Sequence, residues 1–117
     1  MITNNDITTR AIEWAMDGLE RRSSVIANNI ANSEVPNFRG SEVSFESQLR
    51  SALETGRTDR PVVASVNPTG NTPSPNGNDV RLEDELVSMI ETNLRKNAMV
   101  QAFNYKAGLL RAAIGGR

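Results

Sequence analysis

Side-chain amides are the residues of this chain whose placement points most directly to chemistry. Asn93, Asn97, Gln101 and Asn104 recur at steps of four, four and three, and Asn28, Asn29 and Asn32 crowd a second segment of helical pattern. An amide both donates and accepts, so one buried between helices holds their register, because a slipped arrangement leaves it unpaired at a cost of roughly 1–3 kcal/mol. The same spacing suits a solvated helix face, and the sequence admits both readings. Glu83, Asp84 and Glu85 would suit acid–base work if they converged, but adjacent helical positions diverge around the axis. They read more simply as carboxylates complementing a helix N-terminus. The chain has no histidine and no cysteine, which removes the usual zinc sites, catalytic triads and thiol chemistry. No glycine-rich phosphate loop follows a strand, and Trp14 and Tyr105 read as packing residues. The expectation is a non-enzyme with no cofactor and no metal.

Two long helices must carry these amides. From Leu82 to Ile114, positions 82, 86, 89, 93, 96, 100, 103, 107, 110 and 114 alternate steps of four and three. Leu82, Leu86, Met89, Val100, Phe103, Ala107, Leu110 and Ile114 make that stripe apolar, with Asn93 and Lys96 as exceptions. The pattern predicts a coiled-coil seam over 80–114, widened by Ile90 and Leu94 toward more than one neighbouring helix. Acidic residues open this segment and basic residues gather later, which complements the helix macrodipole. At about 1.5 Å per residue, such a helix is on the order of 50 Å long. A second stripe of Ile12, Ala15, Leu19, Ile26 and Ile30 predicts a helix over 6–32, capped by Asn5 or Asp6 and interrupted by Arg22. The fold class expected is all-α. The two terminal helices form an antiparallel coiled-coil-like hairpin, so that their apolar stripes cover each other.

The connecting chain divides into a motif loop over 33–43, a short amphipathic helix over 44–54 stopped by Gly56, and a loop over 55–79. Pro36 and Asn37 read as a turn, with asparagine where a positive φ is needed. The stretch 57–78 holds four of the five prolines and many small polar residues. It is expected to lack the apolar surface to order itself, and to act as a plain linker or as an arm ordered only by a partner; Val62, Val63 and Val66 are the one candidate strand. At 117 residues the chain is a single small domain with few aromatics, so the monomer is expected to be marginal and to gain stability from subunit packing.

A formal charge of -1 and the lack of a basic face with interleaved aromatics argue against nucleic acid. No apolar run approaches the roughly 20 residues that cross a bilayer. The N-terminus M-I-T-N-N-D lacks the basic and apolar regions of a cleaved signal, so the chain is expected to stay in the cytoplasm or to leave by another route.

The run Ala27-Asn28-Asn29-Ile30-Ala31-Asn32, followed by Pro36, Phe38 and Arg39, resembles the N-terminal signature of bacterial flagellar rod and hook proteins. Val35 and Asn37 stand where those proteins usually carry threonine and glycine. The continuations Glu42–Leu49, Asn76–Val80 and Met99–Asn104 look like the proximal members of the flagellar basal-body rod family, leaving the proline-rich middle unmatched. Arg81 stands where relatives tend to have a capping residue, a role expected here of Asn78 or Asp79. The resemblance implies a structural subunit that is exported by the flagellar type III apparatus without a cleaved signal. It would assemble with itself as a helical tube in the periplasmic rod and transmit motor torque. The implied neighbours are the junction protein FliE, the rod proteins FlgC and FlgF, and the export gate. A different class fits the stripes equally, namely a soluble coiled-coil adaptor or export chaperone, but it leaves the asparagine-rich turn unexplained.

Overall fold

A computed structural model describes residues 7–57 and 59–115, apart from the side chains of residues 110 and 113–115. Three helices and two short strands follow in the order α1 (Ile7–Ala31), β1 (Ser41–Ser44), α2 (Glu46–Thr55), β2 (Ser65–Pro68) and α3 (Leu82–Gly115). The molecule is a slab of 63 × 28 × 15 Å, because α3 alone has 34 residues. The caps expected of Asn5 or Asp6 lie outside the described residues.

α1 is the spine. Its apolar positions recur at helical spacing, and Ile12, Trp14, Ala15, Leu19 and Ile26 are buried. On one side it carries α3 antiparallel, as the pairs Glu20–Lys96 and Asn29–Glu85 show. On another side lie α2 and the strands. Phe45, buried to 3% exposure between β1 and α2, packs with Ala15, Leu19 and Val43, and Leu49, Val62, Ala64 and Met99 close around them. Gly18 makes that approach possible, since a Cβ there would lie 2.5 Å from the Phe45 ring. Sequence spacing placed Phe45 on the apolar face of the short helix, one residue ahead of where α2 begins, and did not single out Gly18.

The chain is therefore not purely helical. β1 and β2 pair antiparallel, with Val43 opposite Val66 and Ser41 opposite Pro68. The proline-rich segment, expected to remain unordered, supplies β2 and a hydrogen-bonded approach to α3. Backbone pairing with β1 and the lodging of Val62 and Ala64 against the core offset its low apolar content. Pro68 sits at the end of an edge strand, where a missing amide hydrogen costs no ladder bond. Ser44 ends β1 and does not open α2; that helix starts at Glu46 without a side-chain cap and stops at Gly56, in left-handed conformation at φ 68°.

The α1–α3 contact also departs from the stripe. α3 turns toward α1 a mostly polar or flexible face: Thr92 is buried, and Glu85, Ser88, Met89, Lys96 and Met99 are half-buried. Leu82, Leu86, Ile90 and Leu94 face away and are exposed. Polar side chains win the inner face because they reach partners on α1, as Glu85 does with Asn29 and Lys96 with Glu20 and Ser23.

Candidate functional site

The asparagine-rich run becomes a clasp where α1, β1 and the start of α3 meet. Asn29 is 1% exposed. Its Nδ2 donates to the Ser41 carbonyl at 2.8 Å and to Glu85 Oε1 at 3.1 Å, while its Oδ1 accepts from the Ser41 amide at 3.2 Å. One side chain thus satisfies both backbone groups of a strand residue and ties them to α3. Asn32 follows the last residue of α1, and its Nδ2 donates to the Asn28 carbonyl at 2.8 Å. Asn28 itself is exposed, Ile30 is half-buried and Ala31 is exposed.

Beyond the helix, the amide of Phe38 donates to the Val35 carbonyl at 3.3 Å across Pro36 and Asn37, and Asn37 has φ 65°. This is the proline-then-positive-φ turn that the sequence predicts. Phe38 is half-buried, and Arg39 is exposed with Nη1 3.8 Å from Asp79. What sequence reasoning missed is the other jaw. Asn78 Nδ2 donates to the carbonyls of Asn32 and Val35 at 2.9 and 2.7 Å, giving the carbonyls that follow α1 a donor supplied from 43 residues or more away. Asp79 accepts from the Gly40 amide at 2.6 Å, and its own amide donates to the Phe38 carbonyl. The capping role at α3 expected of Asn78 or Asp79 is replaced by this one, with Asn78 Oδ1 turned only to the Val80 amide. Polar residues shortly before a helix were the available signal, and their burial shows only in the structure.

A second cluster fastens β1 and α2 to α1. Arg22, which breaks the apolar stripe, donates to both Glu46 carboxylate oxygens at 2.6 and 2.8 Å and to the Val43 carbonyl at 2.7 Å, with its guanidinium 5.0 Å above the Phe45 ring. The planar donor fork of arginine suits this combination. The Arg22 hydrogen bonds hold the Glu46 pKa down at about 2, against partial burial. Glu85 moves the other way: desolvation raises its pKa, the Asn29 hydrogen bond opposes this, and Asp84 and Glu42 add to the rise. The signs give opposite pH dependences. Glu46 contributes stability above its ordinary value of 4.5 that is lost as pH falls toward 2. The contribution of Glu85 is present below its ordinary value and is lost as pH rises through the raised one. Glu85→Gln, which keeps an oxygen for Asn29 and removes the charge, is expected to raise the urea midpoint at pH 7 and to have little effect at pH 4. A lowered midpoint at both pH values would contradict this account.

The remaining sequence candidates occupy different faces. Ile12, Leu19 and Ile26 are buried in α1. On α3, Met89 and Ala107 are half-buried, while Leu86, Val100 and Phe103 are exposed; the side chains of Leu110 and Ile114 lie outside the described residues. Asn93, Asn97, Gln101 and Asn104 are all exposed, continuing the outward face of Leu86, Ile90 and Leu94. Glu83 and Asp84 are exposed and Glu85 turns to Asn29, so the three carboxylates do not converge on one point. Among the described residues no cluster of acidic side chains has the makings of a metal site, and no helix is long and apolar enough to cross a membrane. The arrangement is built for mechanical fastening inside the chain, with a long outer helix face left unpartnered.

No family model matches the chain. It is similar to curated proteins from spirochaetes and enterobacteria that share the name flagellar basal body rod protein FlgB. It is 53% identical over 38 residues to the protein of Borreliella burgdorferi, which covers 32% of this chain and 28% of that one. The Escherichia coli K12 protein is 31% identical over 64 residues, or 55% of this chain and 46% of its own, and that of Yersinia enterocolitica is 32% identical over 57 residues, or 49% and 42%. Each match spans less than half of the relative's length. These relatives agree with the family resemblance read from the sequence.

Proposed function

We propose, from this likeness to flagellar basal body rod proteins, that the chain is a structural, non-catalytic subunit of the proximal rod. It joins neighbouring subunits through its terminal helices in a helical tube that transmits motor torque. The observation that carries the reading is the outer face of α3, where Ile90 and Leu94 remain 61% and 64% exposed and Leu86 49%. Large apolar side chains repeated along one helix are costly to leave in water, at about 25 cal/mol per Å², and an assembly removes that cost. The proposed site is the periplasmic part of the basal body, reached through the flagellar export gate, with FliE, FlgC and FlgF as neighbours. A chain that gains much of its packing only on assembly also passes more readily through a narrow channel unfolded.

The test is incorporation. Removing residues 1–32 or 82–114 is expected to abolish recovery of the chain in detergent-resistant basal bodies, and swimming with it. Shortening the proline-rich segment within 59–61 is expected to be tolerated, whereas loss of 62–79 is not, because Val62 and Ala64 pack on the core and β2, Asn78 and Asp79 hold α1 and β1 in place. Full recovery of the chain in the soluble cytosolic fraction of a swimming cell would instead identify an adaptor or export chaperone.

A further inference from the structure

We infer that a groove over α1, walled by α2 and α3, receives the outer face of α3 from a second copy of this chain, so that copies join head to tail. The inference rests on the rod reading for the setting in which copies meet. Ile12 and Ala15 of α1 form the floor, Leu49 and Leu53 of α2 one wall and Met99 of α3 the other, around an open apolar space of about 650 Å³. α1 therefore carries a helix on each flank with an unfilled slot between them, and a further helix is the element that fills such a slot.

The chain also carries a ridge to fill it. Leu86, Ile90 and Leu94, four residues apart, project from the side of α3 away from α1, and none of them lines the groove. Ridge and groove are thus separate surfaces, and each copy can donate one while accepting at the other. A contact between two unlike patches is heterologous; it closes into a ring or runs on as an open helical array, and cannot stop at a symmetric pair. Charge agrees with this occupant. The ridge is accompanied by Glu83 and Glu91, and the groove wall carries Arg95, while the Glu46 carboxylate beside it is already engaged by Arg22. A ridge packed on another ridge would instead bring Glu83 and Glu91 onto their own copies, like charge against like.

The chain has no cysteine, so disulfide trapping reads the contact directly. Leu53→Cys and Ile90→Cys replace exposed side chains and leave the core untouched. In cells building flagella, treated with a mild oxidant, the double variant is expected to give a ladder of cross-linked multimers. Coexpressed single variants are expected to give dimers only, and each single variant alone none. Dimers from Ile90→Cys alone, or no cross-link from the double variant or the coexpressed pair, would overturn the proposal. Basal bodies isolated from the same cells separate the two levels: the chain present there without cross-links rejects this contact and keeps the rod reading. A ladder from chain absent from basal bodies keeps the contact and rejects the rod.

Discussion

Asn29→Ala is expected to destabilise the chain by about 3 kcal/mol, because it leaves the amide and carbonyl of Ser41 and the Glu85 carboxylate without their buried partner. The cost exceeds that of one ordinary hydrogen bond, since three groups on two other elements lose satisfaction at once and alanine supplies nothing in return. In a small domain this is a large fraction of the total stability. The measurement is urea unfolding followed by circular dichroism, where the midpoint should fall with little change in slope. Asn29→Asp sharpens the result. The shape is kept, but a carboxylate now faces Glu85, whose own charged form is already disfavoured by burial. The loss should be deepest at neutral pH and should shrink as pH falls through the raised Glu85 value. A variant as stable as the parent at pH 7 would show that the clasp does not hold β1 to the helices. Asn28→Ala, at an exposed position, is the contrast and is expected to cost well under half as much.

Phe45→Ala is expected to cost about 4 kcal/mol, the usual loss for removing a fully buried ring. The ring is the largest side chain of the small core shared by α1, α2 and β1, and it is also the surface on which the Arg22 guanidinium rests. Its removal therefore loosens the Arg22–Glu46 pair as well, which should return the acid response of Glu46 toward that of an ordinary carboxylate. Gly18 supplies an internal control. Gly18→Val alone forces its side chain into the ring, yet in the Phe45→Ala background the same valine enters vacated space. The double variant should then be more stable than the sum of the single losses implies, by a coupling of about 1 kcal/mol or more. Strict additivity would place the two residues in separate environments.

Much of this organisation was legible along the chain. The 3.6-residue recurrence of Ile12, Leu19 and Ile26 marks α1, and the long periodic segment ahead of Gly115 marks α3, because helical burial depends on spacing that a linear sequence carries in full. Pro36-Asn37 announces its turn for the same local reason, since one ring and one tolerated positive φ decide it. The likeness to rod proteins also sits in short runs that a linear reading carries whole, Ala27–Asn32 with Pro36, Phe38 and Arg39 first among them.

What only the tertiary structure decided is which surfaces meet. β1 and β2 are four residues each and separated by α2, so β1 shows no pattern of its own, and of the candidate strand residues Val62, Val63 and Val66 only Val66 lies in β2. Asn78 and Asn32 are 46 residues apart, and nothing local marks one as the partner of the other. The stripe on α3 identified a helix but not the direction it faces: the polar inner side found its partners on α1, and the leucine-rich side was left outward. Periodicity encodes that a face exists. Its neighbour is chosen by three-dimensional competition between apolar burial and satisfied polar contacts, which depends on residues remote in the chain.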